Sequence, residues 1–376
     1  MNRTLLMTGL TVSAGALLLT ACTDTQSSTP APSEPTAAVS KPAPSEPASS
    51  VSSLPSDHLD LSYWNITVPT DVDANEKVDI VSVADIQTYS HPDFFYANAD
   101  GHVVFASPNK ALTTPNSSNT RSELRYMSRG SDISIKTHDP KNNFVLAAHP
   151  NAGEFASTGG RMEATLTVDH VARRAGNPDR PAAFSAVIGQ IHGVKEKEQR
   201  GAFGYGNEPL KIYFKKFPNH ETGSVSWNYE RNLAKEDPNR TDINYAVWGN
   251  NWTNSEDPGS AGIPLGQELS YVVNVYENVM HLEFSTEGKP TKTFKINLAD
   301  NVDAIGNIDA LDNPLGYTGD AQYFKAGIYN QCSTKDAPGI WYAACPGTGD
   351  WETDKANGDY AQATFSRLVV THAKPM

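Results

Sequence analysis

Tyr323-Phe324-Lys325-Ala326-Gly327-Ile328-Tyr329-Asn330-Gln331 is the stretch that decides how this chain is read. As a β-strand it sends alternate side chains to opposite faces, so Tyr323, Lys325, Tyr329 and Gln331 share one face while Phe324, Ala326 and Ile328 share the other. The second set is apolar and suits a core. The first carries phenols, an ammonium and an amide. A nearby ammonium favours the ionised form of a phenol, and Lys325 stands two pleats from Tyr329, so this face has the means to move protons. Tyr and Lys also line many strand faces that do no chemistry, and the stretch alone does not separate the two cases.

Two further segments of the same kind shift the balance. Arg121-Ser122-Glu123-Leu124-Arg125 places Arg121, Glu123 and Arg125 on one strand face. Two guanidiniums flanking a carboxylate make a fork for planar anions, with Glu123 holding the arginines in register while they bond elsewhere; a surface ion-pair ladder would look the same. Val187-Ile188-Gly189-Gln190-Ile191-His192-Gly193 puts Gln190 and His192 on one face and Val187, Gly189 and Ile191 on the other. Histidine has its ordinary pKa nearest the working pH for proton abstraction, although a lone strand histidine is more often structural.

Working outward, the chain from Asp57 onward is a series of short runs rich in Val, Ile, Thr, Tyr and Phe, punctuated by Gly, Pro, Asn and Asp. Tyr271–Tyr276, Val279–Phe284 and Thr291–Ile296 alternate well, Glu277-Asn278 makes a hairpin turn between the first two, Gly101–Phe105 reads as a strand, and Ala363–Val370 supplies a closing one. Ser82–Thr88 is the one short helical pattern. The polar segments Lys195–Asn207 and Lys235–Gly262 read as long surface loops. No repeat at a fixed period is visible, against a propeller or solenoid. The expected fold is all-β, one large antiparallel sandwich or jelly roll. The 376 residues, 38% hydrophobic, can fill such a core.

Met1–Ala21 has a basic Arg3, an apolar run from Leu5 to Leu19 and small residues at its end, as a secretory signal does; the run is too short for a membrane span. Leu19-Thr20-Ala21-Cys22 resembles a bacterial lipobox, in which Cys22 becomes the lipid-modified first residue. Thr23 after it favours the outer membrane over retention at the inner one. Residues 22–55 are mostly Ser, Pro, Ala, Thr and Glu, bury too little apolar surface to offset ordering entropy, and read as an extended tether, leaving 56–376 as the folded domain. The expectation is an exported protein, lipid-anchored at the outer membrane or cell surface or released outside, touching the membrane only through its lipid. Cys332 and Cys345, an isolated pair in an exported chain, point to a disulfide; they are too few for a structural zinc site. The net charge of −13 argues against nucleic acid as a partner, so cations meant for an acidic substrate must be gathered in one cleft.

Taken in order, Arg121-Ser-Glu-Leu-Arg125, Gln190-Ile-His192 and Tyr323-Phe-Lys-Ala-Gly-Ile-Tyr-Asn-Gln331 resemble the three signature motifs of the alginate lyases of polysaccharide lyase family seven. The opening Asp60-Leu-Ser-Tyr-Trp64 is similar to that family's usual start, so the resemblance spans roughly Asp57 to Thr371. It implies a β-jelly roll whose concave sheet binds alginate, a polymer of mannuronate and guluronate, and cleaves it by β-elimination without a metal or other cofactor. The chemistry needs the C6 carboxylate neutralised, a base for the C5 proton and an acid for the C4 oxygen. The resemblance implies Arg121 and Gln190, with Arg125, at the carboxylate; Tyr329 as the acid; and His192 or Tyr329 as the base. It places Lys325 and Gln331 at neighbouring sugars, with Tyr323 and Glu123 lining the same face. Ile191 between Gln190 and His192 resembles members that accept guluronate. A monomer is expected. Two other classes compete: a non-catalytic glycan-binding lipoprotein on the same sheet, and a glycoside hydrolase, which would need two suitably spaced carboxylates where the strand faces show Glu123 alone.

Overall fold

The structure, a computed structural model, describes residues 53–197, 201–336 and 339–375. The signal sequence, Cys22 and the tether as far as residue 52 lie outside the described residues. In chain order the strands are β1 (Trp64–Val68), β2 (Asp79–Val81), β3 (Phe95–Ala97), β4 (Val103–Pro108), β5 (Asn119–Tyr126), β6 (Phe144–Val145), β7 (Ser157–Thr158), β8 (Gly160–His170) and β9 (Ser185–Gly193). They continue as β10 (Leu210–Lys215), β11 (Ser224–Glu230), β12 (Asp242–Trp248), β13 (Glu268–Tyr276), β14 (Val279–Thr286), β15 (Lys292–Asn297), β16 (Gln322–Ser333), β17 (Ala343–Ala344) and β18 (Tyr360–Thr371).

These strands make a β-jelly roll of two facing sheets. The larger runs β12-β11-β10-β9-β16-β5-β1-β2, with short β17 and β6 against β16 and β7 against β6; the other runs β15-β14-β13-β8-β18-β4-β3. The pairings are antiparallel except those of β17 with β16 and β6 with β7. The expected alternation is plain in β8, whose residues are buried and half-buried in turn. Ile66, Leu124, Ile188, Phe324, Ala326 and Ile328 of the larger sheet meet Phe105, Met162, Leu166, Val273, Phe284 and Phe365 of the other in one core. Each of these side chains other than that of Ala326 contributes about 1.5–3 kcal/mol on burial. Among the described residues no helix is long and apolar enough to cross a membrane.

β16 is the pivot, paired with β9 on one side and β5 on the other. Gly327 within it has φ +125°, and a Cβ there would lie 2.6 Å from the Ser122 carbonyl oxygen, so only glycine fits. Against β9 the register slips between Ala326 and Tyr329, and β9 slips against β10 at the same level. That irregularity corrects one reading from strict alternation. Val187, placed on the core side with Gly189 and Ile191, turns to the outer face and packs with Tyr213, Trp252 and Tyr329.

Three other expectations change. Ser82–Thr88 gives a four-residue 3-10 turn, Asp85–Thr88, rather than an α-helix. The segment Lys235–Gly262 is not all loop: Asp242–Trp248 is the edge strand β12, sending Tyr245 and Val247 into the core. An unforeseen helix α1, Trp351–Asn357, starts at Asp350, whose side chain accepts from the Thr353 N–H at 2.9 Å, and stops at Gly358 with φ +74°. Cys332 and Cys345 are joined by a disulfide 13 residues apart, so the loop after β16 is tied back to its own strand.

Candidate active site

The outer face of β5, β16, β9 and β10 gathers the polar residues that alternation singled out. In register, Arg121 stands opposite Tyr329 and Arg125 opposite Lys325 across β5 and β16; Lys325 stands opposite Gln190, and Tyr323 opposite His192, across β16 and β9. Guanidinium, amide, imidazole and phenol therefore share one face of one sheet.

Glu123 is the centre. It is 2% exposed and accepts from Arg121 Nη1 at 2.8 Å, from Gln190 Nε2 and from Lys325 Nζ. Burial works against its charge, but Lys325 and Arg121 outweigh it and hold the carboxyl below the usual range. Lys325 is buried in turn, and burial with Arg121 pushes its ammonium down to about 8 despite Glu123. The fork of two arginines about Glu123 is thus half right. Arg121 is held by it, whereas Arg125 turns away, its guanidinium 3.8 Å over the Tyr323 ring and its Nη2 donating to the Thr137 carbonyl and Asn143 Oδ1, each at 3.2 Å.

Tyr329 is nearly buried, with the Arg121 guanidinium 3.8 Å over its ring and Lys325 Nζ 6.0 Å from the ring centre. Its hydroxyl lies 3.1 Å from Ser117 Oγ. His192 stacks on Tyr323 with ring centres 5.2 Å apart, its Nδ1 is 2.7 Å from the Gly193 carbonyl oxygen, and its Nε2 is 3.1 Å from Glu208 Oε1. Burial raises the Tyr323 phenol, opposed by Arg125. Gln331 is buried and donates to the Tyr329 carbonyl at 3.2 Å. Arg121 Nε, Gln190 Oε1 and Gln331 Oε1 are buried without a protein partner. Orphan polar atoms gathered on one face call for an account, and a polar ligand would supply one.

Several residues of this face were not foreseen. Glu208 lies in a loop, Ser117 on the approach to β5, and Trp252 and Trp341 on loops that bring their stacked indoles, 5.2 Å apart, beside Tyr213 and Tyr329. Lys215 pins the Trp252 loop by donating to its carbonyl at 2.8 Å. Lys211 and Tyr213 could have been found, because Leu210-Lys-Ile-Tyr-Phe-Lys215 alternates cleanly. Among the described residues the one three-carboxylate grouping close enough to hold a metal ion, Asp71, Asp73 and Asp79, is far along the edge at β2 and no part of this face.

Comparison with known proteins agrees with the geometry. The alginate lyase family model matches residues 59–372. An alginate lyase of Klebsiella pneumoniae is 32% identical over 326 residues, covering 85% of this chain and 91% of that protein. The crystal structure of the Klebsiella pneumoniae alginate lyase superposes with a TM-score of 0.66 at 29% identity, over 85% of this chain and 99% of that one. The exolytic family-seven lyase AlyA5 of Zobellia galactanivorans does so with a TM-score of 0.68 at 31% identity, over 86% and 99%. A jelly roll with its guanidinium, amide, imidazole and phenol on one sheet, matched over nearly all of its folded length, thus belongs to the alginate lyases of polysaccharide lyase family seven.

Proposed function

We propose that this face breaks the 1,4 bond between uronates of alginate by β-elimination, leaving an unsaturated sugar at the new non-reducing end. The observation that carries the reading is the pairing of Arg121 and Tyr329 across adjacent strands, a permanent cation 3.8 Å over the ring of a phenol. Arg121 and Gln190, both anchored on Glu123, would take the C6 carboxylate, Gln190 through the second N–H of its amide. As the C5 proton leaves, negative charge builds on that carboxylate, and donors fixed in advance stabilise it without reorganising. Tyr329 would protonate the departing C4 oxygen, and its anion, formed beside Arg121, is matched by a positive charge.

The hydrolase alternative needs one protonated and one ionised carboxyl. Of the carboxyls about this face, Glu123 and Glu208 are both held below the usual range by neighbouring cations against the effect of burial, and neither suits the acid role. Glu230, which burial raises, is 5% exposed behind Glu208, with one oxygen on Arg240 and the other on the Glu208 N–H, so it does not reach a sugar on the sheet. Lys325 is committed to Glu123, so its hold on a neighbouring sugar would act through charge rather than a free ammonium. Acceptance of guluronate is supported by Ile191 alone.

We further propose export through residues 1–21, lipid attachment at Cys22, a tether reaching to about residue 55, and action as a monomer; the composition of the N-terminal segment supports the first three. Incubation of the purified domain with polymannuronate, polyguluronate and mixed alginate tests the reaction. Ultraviolet absorbance from unsaturated ends is expected; polymer binding without it would establish the glycan-binding alternative instead.

A further inference from the structure

The elimination has no evident use for Glu208, yet it is built into the site. It stands just before β10 with Oε1 3.1 Å from His192 Nε2 and Oε2 3.2 Å from Lys211 Nζ, and Lys211 is held in turn by Asp242 at 2.9 Å. On the other side of the ring, His192 Nδ1 is 2.7 Å from the Gly193 carbonyl oxygen. A carbonyl only accepts, so Nδ1 carries a hydrogen. A neutral ring would then aim the Nε2 lone pair at a carboxylate oxygen at contact distance, which repels; a protonated ring turns the same contact into an ion pair.

The surroundings put the negative charge where this requires it. Glu230 lies behind Glu208, accepting from the Glu208 N–H at 2.8 Å. Burial pushes Glu230 up, whereas Glu208, beside the Lys211 ammonium, is held well below the usual range against burial. Of two adjacent carboxyls, the ionised one faces the histidine. The other groups about the ring are Tyr323, stacked on it from β16, Arg125 beyond that phenol, and His138, whose own imidazole is lowered by burial and then by Arg125 and His192.

We propose that Glu208 is a positioning residue: it occupies His192 Nε2 and keeps the ring an imidazolium, so that removal of the C5 proton falls to Tyr329. The inference rests on the lyase reading above. The step balances without a further reactant. The C5–H and C4–O bonds break, a C4–C5 double bond forms, the phenolate takes the C5 proton, and the phenol delivers a proton to O4. One phenol can do both only where H5 and O4 lie on the same ring face, as in mannuronate. In guluronate, the C5 epimer, H5 lies on the opposite face, and His192 must first leave Glu208 to reach it. Mannuronate is cleaved from the resting arrangement, guluronate only by breaking the ion pair.

The test is nitrogen-15 NMR of the histidine rings, with the His192 signals assigned by their absence in His192→Gln, together with turnover of the two homopolymers. At about pH 7.5, a unit above the ordinary imidazole value, His192 in the parent is expected to show two protonated ring nitrogens. In Glu208→Gln, Lys211 claims the amide oxygen and the amide NH2 faces the ring, so His192 is expected to be neutral. Glu208→Gln and Glu208→Ala are expected to raise the ratio of polyguluronate to polymannuronate turnover about tenfold, equivalent to about 1.4 kcal/mol. A neutral His192 ring in the parent overturns the proposal, and so does an unchanged ratio once the ring has changed. If Glu208→Gln does not fold, the parent spectrum decides. A parent that forms unsaturated ends from neither polymer defeats the lyase reading itself, whatever the spectrum.

Discussion

Replacing Glu123 with Gln removes one negative charge from the centre of the site while keeping its shape. The geometry makes this a test of charge. Arg121 Nη1 and Lys325 Nζ both donate to Oε2, whereas Gln190 Nε2 donates to Oε1. In Glu123→Gln the new amide oxygen can stay with the two cations, and Gln190 can flip so that its free Oε1 accepts from the new NH2. What is lost is the carboxylate's attraction for two buried cations. Removing one partner of such a buried group costs about 3–5 kcal/mol. Lys325 has an escape, because an ammonium already at about 8 can shed its proton near neutral pH, so a loss of roughly 2–4 kcal/mol is expected at pH near 7.5. The sign with pH follows. Without Glu123 the folded-state value of Lys325 falls below 8, and the penalty for burying its charge is largest below that new value. The deficit relative to the parent should therefore widen as pH falls from 8 towards 6. Urea denaturation of both proteins across that range measures it, and kcat/KM on alginate should fall about a hundredfold as Arg121 and Gln190 lose register. A variant within about 0.5 kcal/mol of the parent, or a deficit that shrinks on acidification, would refute the central role given to Glu123.

Tyr329→Phe keeps the ring beneath Arg121 and removes only the hydroxyl. Turnover should fall by about 10²–10⁴, with stability changed by about 1 kcal/mol through the lost Ser117 contact; near-parent turnover in a steady-state assay would end the acid role. Replacing Cys332 and Cys345 with Ala reopens a loop of 13 residues and should cost about 3 kcal/mol in thermal or urea unfolding. Lys325 is lowered from 10.5 to about 8 by burial and Arg121, so its charge penalises the folded state below pH 8 and the penalty fades between 8 and 10.5. Unfolding free energies at pH near 7.5 and 9.5 should show the parent gaining about 2 kcal/mol on Lys325→Met over that interval; equal slopes would contradict the shift.

The parts of the fold that were legible in the sequence are those where one rule decides the outcome. β13 and β14 alternate, and the two-residue Glu277-Asn278 turn joins them with Glu277 at φ +54°. On β16, strict period two from Tyr323 to Tyr329 assigns both faces correctly. Where a second influence intervenes, the reading slips. Val187 turns outward because β9 and β16 are out of step at the level of Gly189 and Gly327, and period two has no means to show a bulge. β12 was hidden by the polar residues around it, although Ile243, Tyr245 and Val247 alternate. α1 is seven residues long, too short for helical periodicity, and only its caps, Asp350 and Gly358, mark it. For the site, the strand residues were accessible and the loop residues were not. Nothing local in Glu208, Ser117 or Trp252 says that the chain will bring them to Tyr329 and His192.

The burial of carboxylates among the cations of this face has a physical logic for a chain of net charge −13 that acts on a polyanion. Bare cations at Arg121, Lys325 and Lys211 would attract every uronate alike, and attraction felt equally by substrate and transition state does not raise the chemical rate. Glu123 and Glu208 each take up part of that charge and, in doing so, fix where the remainder points. Arg121 is left with its Nε–H unpartnered, while Lys211 is enclosed by Glu208 and Asp242. The positive charge still able to respond is then concentrated beside the Tyr329 ring, where the C6 carboxylate gains negative charge as the C5 proton leaves and the phenolate carries it again once O4 has been protonated. The same carboxylates keep the cations in place between turnovers, since each would otherwise be a buried charge without a partner. Stability and chemistry thus depend on the same few ion pairs, which is why loss of Glu123 should be felt in both.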